Sequence, residues 1–451
     1  MNILQTKKYA FVLGRERDLC LAELRATLNR FGFCFDDLIL SDNVAFINLD
    51  SDPRKLIDIL GGTTKIFEII EPSVILSRAK NLGDPSAVPQ DDKLPELRDT
   101  IKYLILDRAK SVSGKFNFGF SAYGRHRADS LNPLGLNIKK DLKDRLSLRF
   151  IAIKEKELST IVSSKNNLAT AGLELGFFND QIGILIAVTD PEAWSERDYG
   201  KPRGDKFSGM VPPKLARAMV NIALGSRLEA DGNETRIGNV ERSRDRTSND
   251  ETGIVTDKRR TSLVVDPFCG SGNILLEAMM LGCDVLGSDV SEKAVNDSRE
   301  NVEWLLKVHS TQSSVHRNYQ IVQADATTSK FTEYCELSTE NYDDFVIVCE
   351  PYLGEPKKYL SSMKAVRGEY EKIRDLYIKF LANIFKLSTL NFQLTLCLVF
   401  PLVETVEKIK FSLYSESVDE IKKIGYTELA KPLVYGRDYQ IVKREIVLLT
   451  I

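Results

Sequence analysis

The sequence of 451 residues is poor in the side chains from which disulfide frameworks and metal centres are built. It has seven cysteines, no two of them in a Cys-x-x-Cys pair, and three histidines. The histidines, His126, His309 and His316, do not follow the spacing of metal ligands. We therefore expect no disulfide framework and no metal site, and we predict a protein of the reducing cytoplasm.

Long apolar runs and an excess of one charge are also missing. The longest strongly apolar run, near residues 394–403, is far shorter than the roughly 20 residues that cross a bilayer, so we expect no membrane span. The 62 Lys and Arg nearly balance the 64 Asp and Glu, which gives a formal net charge of −2. A basic field over the whole chain is excluded, and any nucleic-acid contact must be regional.

The length predicts about three domains at roughly 150 residues each. Strands and helices alternate over residues 1–70, and a proline-containing connector then leads to a second α+β region that ends near residue 189. Within that region, residues 157–164 are predicted to be a strand, and a helix is predicted from residue 137. Residues 226–261 hold few apolar side chains and no aromatic one, which predicts a flexible surface insertion.

Beyond the insertion, apolar strands alternate with helices, which predicts an α/β domain with a parallel sheet covered on both faces. The strongest motif, Asp-Pro-Phe-Cys-Gly-Ser-Gly-Asn at 266–273, lies between a strand and a helix. Gly270 and Gly272 permit a tight turn, and the free N–H groups of the helix start favour a nucleotide-like cofactor. The motif matches neither the dinucleotide nor the Walker pattern, so we expect another adenosine-bearing cofactor.

Acidic residues follow the next strands of this domain. Asp289 ends the second strand, 23 residues after Asp266, which is close to the spacing of a carboxylate that accepts from a ribose diol. Asp325 ends the third strand, where it is a candidate acceptor for an adenine amine. These positions predict a cofactor site along one edge of the sheet.

The fourth strand ends in Glu350, Pro351 and Tyr352, where we expect the target base. Guanine presents N1–H and N2–H side by side, and both can be accepted by one carboxylate, whereas adenine presents an acceptor at N1. A Glu at this position therefore favours guanine. Tyr352 is a candidate for stacking on a base taken out of its helix.

These four motifs, in this order, resemble the Rossmann-like S-adenosylmethionine-dependent methyltransferases that modify exocyclic amines of nucleobases. Residues 197–223, followed after the insertion by the glycine motif, are similar to the THUMP-domain tRNA guanine-N2 methyltransferases that modify guanosine at position 10. The resemblance implies a ferredoxin-like domain over 1–70, a THUMP RNA-binding domain over 71–189 and a methyltransferase domain over 190–451. It also implies a mostly parallel seven-stranded sheet and a closing hairpin at the C-terminus.

The resemblance further implies S-adenosylmethionine as cofactor and tRNA as substrate, with Glu350, Pro351 and Tyr352 as the catalytic group. The implied cofactor-binding residues are Asp266, Phe268, Gly270, Gly272, Asp289, Asp325, Phe207 and Ser208. A helix from Pro213 would lie against the first strand–helix unit. The family usually has Asp-Pro-Pro-Tyr-Gly where this chain has Glu-Pro-Tyr-Leu-Gly, which leaves Tyr352 or Leu353 as the stacking residue.

A regional excess of positive charge points to RNA without the help of the family. Residues 101–160 contain thirteen Lys or Arg against six Asp or Glu. The candidate phosphate contacts are Arg125, Arg127, Lys139, Lys140 and Lys143. The alternative is a solvated helix face whose charges pair with Asp141 and Asp144.

Two other functions stay open at this point. One is methylation of another RNA amine, either guanine N2 in ribosomal RNA or adenine N6, and the other is an RNA-binding relative without turnover. The sequence leaves open the target position, the number of methyl groups added, the oligomeric state and any activating protein partner.

Overall fold

The computed structural model describes the chain except for residues 1–5, 36–37, 71–92, 205–209, 231–261, 310–314, 316–317, 340–341, 343–344 and 391–393. The predicted connector therefore lies outside the described residues, and so does the predicted insertion from residue 231 onward. Residues 226–230 continue a helix instead.

The described strands and helices are numbered in chain order. The strands are β1 Lys7–Leu13, β2 Ile39–Ser41, β3 Val44–Leu49, β4 Thr63–Ile70, β5 Phe116–Tyr123, β6 Leu148–Ile151, β7 Leu173–Phe178, β8 Gln181–Val188, β9 Leu263–Asp266, β10 Asp284–Asp289, β11 Tyr319–Gln323, β12 Phe345–Cys349, β13 Thr395–Glu404, β14 Lys410–Ser412, β15 Thr427–Tyr435 and β16 Val442–Thr450. The α-helices are α1 Arg17–Arg30, α2 Leu56–Ile59, α3 Lys93–Ala109, α4 Ala128–Asp141, α5 Thr160–Lys165, α6 Pro191–Ser195, α7 Pro213–Ala230, α8 Asn273–Met280, α9 Glu292–Val308, α10 Ser329–Thr339, α11 Met363–Ile384 and α12 Leu413–Ile424. A π-helical turn, Glu196–Gly200, follows α6, and a 3-10 turn, Phe385–Leu390, follows α11.

The chain forms two compact units. The first comprises residues 1–17, 33–59 and 63–193, and the second comprises 18–32, 60–62 and 194–451. In the described part of the first unit, one mixed sheet runs in the order β2-β3-β1-β4-β8-β7-β5-β6. Strands from both expected N-terminal domains share this sheet, while the division into ferredoxin-like and THUMP domains stays a prediction.

Two local assignments in the first unit were wrong. Residues 157–164, predicted as a strand, include most of helix α5, because the Ser159 hydroxyl accepts from the Val162 N–H at 3.3 Å and caps the helix start. Helix α4 begins at Ala128, well before the predicted start at residue 137. Local capping outweighed β propensity in the first case.

The second unit contains a mostly parallel sheet in the order β11-β10-β9-β12-β13-β16-β15, with β14 paired to β13. The first five of these strands run parallel, and β16 is antiparallel to both β13 and β15. The predicted seven-stranded sheet is confirmed, with the short β14 added, and β15–β16 form the expected closing hairpin. Buried apolar side chains cover both faces of this sheet.

The strand order reverses between β9 and β12, which lie next to each other in the sheet. In such open sheets, the crevice at the carboxyl ends of the strands on either side of the reversal is the usual ligand site. Among the described helices, none combines the length and apolar character needed to cross a membrane.

Helix α1 lies almost entirely in the second unit, although the sequence placed it in an N-terminal domain. Leu19 belongs to the same core as residues of α7, and Gly225 of α7 leaves no room for a Cβ beside Ala26. The buried Glu23 carboxylate accepts from the backbone N–H groups of Gly61 and Gly62, both at 2.7 Å. Asn221 Nδ2 donates to it at 2.8 Å, so one carboxylate joins three segments of the chain.

We expect Glu23→Leu to lower the free energy of unfolding by about 3 kcal/mol, because three buried donors would lose their acceptor. Glu23→Gln retains one acceptor oxygen and should cost less. Urea denaturation followed by tryptophan fluorescence measures both values, with the exposed Glu371→Gln as the control. Equal stability of Glu23→Leu and the unchanged protein would contradict this role.

Candidate active site

A cavity of about 420 Å³ lies at the carboxyl ends of β9, β10, β11 and β12. It brings together most of the site residues predicted from the sequence: Asp266, Phe268, Gly270, Asp289, Asp325, Glu350, Pro351 and Tyr352. Gly272 stands directly beside it at the start of α8. Phe207 and Ser208 lie outside the described residues, so their predicted contact with the cofactor stays a prediction.

The loop between β9 and α8 turns on its two glycines. Gly270 and Gly272 have φ values of +51° and +87°, in the left-handed region that favours glycine. A Cβ at Gly272 would lie 2.5 Å from Ser298 Oγ on helix α9. The turn therefore needs glycine both for its backbone angles and for the close approach of α9.

Asp289 and Asp325 both face the cavity, with part of their hydrogen-bonding capacity engaged by nearby groups of the chain. Asp289 Oδ2 accepts from the Gly270 N–H at 3.0 Å, and Oδ1 accepts from the Ser291 N–H at 2.9 Å. Asp325 Oδ1 accepts from the N–H and the hydroxyl of Thr327 at 2.8 and 2.7 Å. Because each carboxylate oxygen has about two acceptor positions, both groups can accept further bonds from a ligand.

The lining of the cavity is acidic. It includes Asp266, Asp289, Asp325 and Glu350, and no Lys or Arg is among the described lining residues. Burial raises the pKa of Asp266 well above its ordinary value; the Phe268 N–H opposes this shift, and the nearby Asp289 and Glu350 carboxylates add to it. Such a lining favours a ligand that carries positive charge.

Glu350 forms a two-pronged ion pair with Arg444. Arg444 Nε donates to Glu350 Oε2, and Nη2 donates to Oε1 at 2.9 Å. The side chains of Arg444 and Glu350 are only 13% and 10% exposed. Burial raises the pKa of Glu350, and the charge and hydrogen bonds of Arg444 oppose that rise. The same Nη2 points at the Met210 carbonyl at 3.4 Å.

The two candidate stacking residues have different surroundings, although both line the cavity. Tyr352 is 51% exposed, and its hydroxyl donates to Glu355 Oε1 at 2.9 Å. Leu353 is half-buried against the core of the unit, and its carbonyl accepts from the Tyr370 hydroxyl at 3.0 Å. Of the two, Tyr352 therefore has the more accessible side chain.

Sequence reasoning missed Arg444. Arg444 lies in β16, opposite Pro401 of β13, which itself pairs with the strand that ends at Glu350. The available signal was a run of three charged residues near the start of β16, but nothing local distinguished Arg444 among them or identified its partner 94 residues earlier. Cys269, a conceivable nucleophile from its place in the motif, is buried, and burial raises its thiol pKa.

The segment before α7 is fixed beside the glycine loop. Arg197 Nε donates to Glu277 of α8 at 2.8 Å, and its guanidinium lies 4.2 Å from the ring centre of Trp194. Lys201 Nζ donates to Asn273 Oδ1, and Asn273 Nδ2 donates to the Val211 carbonyl at 2.6 Å. These contacts hold the chain on both sides of residues 205–209. The helix from Pro213 also packs in the same core as α8, as the resemblance implied.

The first unit carries the predicted basic surface. Arg127, Lys139, Lys140 and Lys143 are exposed and have no ion-pair partner in the described part of the chain, whereas Arg125 pairs with Asp180. Asp141 pairs instead with Arg98, at 2.6 Å, which leaves the lysines of α4 for other contacts. RNA binding by these residues stays a prediction.

Within the described residues, no group of His, Cys, Asp and Glu is arranged to hold a metal ion.

A protein-family model described as UPF0020, RMKL-like, methyltransferase domain, matches residues 254–346. A tRNA (guanine(10)-N2)-dimethyltransferase of Methanocaldococcus jannaschii is 26% identical over 233 residues, which cover 49% of this chain and 50% of the relative. The enzyme of the same name from Methanothermobacter thermautotrophicus is 30% identical over 97 residues, or 22% of this chain and 19% of the relative. The matches thus span from a fifth to a half of the relatives' length.

Solved structures of methyltransferases are also similar to this chain, with low TM-scores. A magnesium protoporphyrin IX methyltransferase of Synechocystis shares 14% identity, covers 57% of this chain and 93% of that chain, and has a TM-score of 0.30. An rRNA methylase of Streptococcus thermophilus shares 17% identity over 42% of this chain and 88% of that chain, with a TM-score of 0.25. The fold assignment rests on the strand order of the second unit and not on these structures.

The parallel sheet, the glycine turn at its carboxyl edge and the family match define the second unit as a Rossmann-like methyltransferase domain that uses S-adenosylmethionine. The acidic lining fits the cationic sulfonium and ammonium groups of that cofactor. In sequence, residues 254–346 match a methyltransferase-domain model, and parts of the chain are similar to tRNA (guanine(10)-N2)-dimethyltransferases, in agreement with the resemblance. The THUMP domain of that family stays a prediction for this chain.

We expect Asp289→Ala to weaken the binding of S-adenosylmethionine by roughly 10- to 100-fold, because the ligand loses acceptors and the Gly270 turn loses its support. Isothermal titration calorimetry measures the effect. Glu292→Gln removes an exposed charge three residues away and should leave the affinity within about twofold. Unchanged affinity in Asp289→Ala would remove this residue from the cofactor site.

Proposed function

We propose that the protein transfers a methyl group from S-adenosylmethionine to the exocyclic N2 amine of a guanosine in tRNA, at position 10. The observation that carries the proposal is the position of Glu350, which lies beside the acidic cavity with its carboxylate held by Arg444. The substrate and the position are supported by the names of the relatives. Those names also suggest that two methyl groups are added.

The cofactor is assigned to the glycine loop and the adjacent strand ends. When bound, S-adenosylmethionine supplies an electrophilic methyl group. Asp289 accepts from the ribose diol, Asp325 accepts from the adenine amine, and Asp266 with the loop of Phe268, Gly270 and Gly272 borders the methionine end. Phe207 and Ser208 are assigned to the same cofactor site from the resemblance alone.

The base is assigned to Glu350, Pro351 and Tyr352. Arg444 occupies one acceptor position on each oxygen of Glu350, which leaves one on each for the N1–H and N2–H of guanine. Adenine would place its N1 lone pair against the same carboxylate, which is repulsive. Tyr352, half-exposed at the cavity, stacks on the extracted base.

The reaction needs electron density on an amine whose lone pair is conjugated into the purine ring. Glu350 accepts one N2–H and the Pro351 carbonyl accepts the other, so both bonds polarise the amine toward nucleophilic attack. The nitrogen would gain the methyl group as the methyl–sulfur bond of the cofactor breaks, with S-adenosylhomocysteine as the leaving group, and it would lose a proton, which Glu350 accepts and passes to solvent. No side chain of the protein is alkylated in this scheme.

The tRNA is assigned to the basic surface of the first unit, whose lysines and arginines suit phosphate contacts without base readout. We propose that the protein acts in the cytoplasm, where its substrate is found. An activating protein partner would be an addition to this scheme, since the proposed site is built from this chain alone.

The proposal is tested by incubating the protein with isotope-labelled S-adenosylmethionine and unmodified tRNA transcripts, followed by nuclease digestion and mass analysis of the nucleosides. Labelled N2-methylguanosine or N2,N2-dimethylguanosine supports the proposal, and substitution of guanosine 10 tests the position. Label in N6-methyladenosine would contradict the guanine assignment. Measurable cofactor binding with no label in any tRNA would favour ribosomal RNA or an inactive relative.

We expect Glu350→Gln to lower kcat for methyl transfer by at least roughly 100-fold while S-adenosylmethionine binding changes by less than about threefold. The amide would place a donor against the donors of guanine and would not take up the released proton. Single-turnover assays and calorimetry measure the two quantities, with the exposed Glu371→Gln as the matched control. Full turnover in Glu350→Gln would exclude the proposed role.

A further inference from the structure

Among the described residues, the large aromatic side chains that are exposed are four tyrosines. Tyr199 and Tyr359 are each 83% exposed, Tyr439 is 73% exposed and Tyr352 is 51% exposed. Most other phenylalanine and tyrosine rings of this chain are buried in its cores. Exposed aromatic side chains that cluster on one surface usually mark a binding site.

The topology places these tyrosines at one edge of the second unit. Tyr352 and Tyr359 lie in the loop after β12. Tyr439 lies in the β15–β16 connection. This connection reaches β16 at Val442, which pairs with Val403 near the carboxyl end of β13. Tyr199 lies in the π-helical turn between Arg197 and Lys201, which contact α8 at the glycine loop. All four therefore border the carboxyl edge, where the cavity opens.

A cation accompanies the aromatic side chains on one side of the cavity. The Arg437 guanidinium lies 5.6 Å from the ring centre of Tyr439 and donates to its hydroxyl. That hydrogen bond, together with the proximity of Tyr435 and Tyr199, raises the pKa of Arg437. Arg437 is exposed, and on the other side the exposed Lys358 precedes Tyr359.

We propose that Tyr199, Arg437, Tyr439 and Tyr359, a surface that we name the stacking rim, bind the unpaired RNA nucleotides that flank the target base. This inference rests on the proposed function and names the part of the substrate that the second unit itself holds. Tyr439 and Arg444 are five positions apart in the chain, a span of at most about 18 Å, which a few nucleotides can bridge.

The chemistry of the stacking rim suits nucleotides better than a protein surface. Its members supply flat rings that stack on any base, and cations that meet phosphates. Tyr359 of the stacking rim lies in the same loop as Tyr352, the stacking residue proposed for the target. Stacking on neighbours would stabilise the unstacked strand while the target occupies the cavity.

The test uses the full-length protein, saturated with S-adenosylhomocysteine, and a fluorescein-labelled 12-nucleotide unstructured RNA with one central guanosine. We expect Tyr199→Ala and Tyr439→Ala each to weaken binding by roughly 5- to 100-fold, from the usual strength of base stacking. Tyr199→Phe and Tyr439→Phe keep the ring and should bind within about threefold of the unchanged protein. A stem-loop of the same length with its guanosine paired should be insensitive to all four changes.

The outcomes separate the stacking rim from the proposed function. Loss of RNA binding in the alanine variants supports the stacking rim, whether or not the unchanged protein methylates RNA. Absence of methylation by the unchanged protein would overturn only the proposed function. Normal RNA binding and normal kcat/KM in the alanine variants of an active enzyme would overturn the stacking rim and leave the function standing. Failure of the unchanged protein to bind the unstructured RNA would also overturn the stacking rim.

Discussion

The ion pair between Glu350 and Arg444 is the interaction on which the proposed active site depends. It joins the end of a parallel strand to an antiparallel strand two positions away in the sheet, and it lies almost out of contact with water. A buried carboxylate without a partner would gain a proton or leave the site, since the cost of burying an isolated charge is several kcal/mol. The fork of Arg444 opposes the rise in the pKa of Glu350 that burial causes, and it holds the carboxylate in one orientation.

The rest of the second unit supports this pair from several directions. The antiparallel closing hairpin places β16 beside β13. The register of this pair places Arg444 level with the carboxyl end of β12, where Glu350 lies. The Met210 carbonyl receives the same guanidinium, which ties the segment before α7 to the base site. On the other side of the cavity, Arg197 and Asn273 fix that segment to the glycine loop. These contacts therefore connect the cofactor loop and the base site through the segment before α7.

The residues at the strand ends were predictable from the sequence because parallel strands end at a common edge. Asp266, Asp289, Asp325 and Glu350 each follow an apolar strand, and the structure brings all four to one cavity. Arg444 was not predictable, since its place depends on the pairing of strands far apart in the chain. The contacts of α1 were unpredictable for a related reason: Glu23 finds its partners in residues 61, 62 and 221, and no local pattern encodes that.

The most direct test of the ion pair is the pH dependence of methyl transfer in Arg444→Met. The groups that face Glu350 are Arg444, Asp266, Tyr377 and Cys349, of which only Arg444 lowers its pKa. Removing that charge leaves burial unopposed, so the pKa of Glu350 rises and the acidic limb of the kcat/KM profile should move to higher pH. Arg444→Lys, which keeps the charge, should move it less, and the exposed Arg367→Met should not move it. A uniform loss of activity at every pH, with the acidic limb unmoved, would contradict the account.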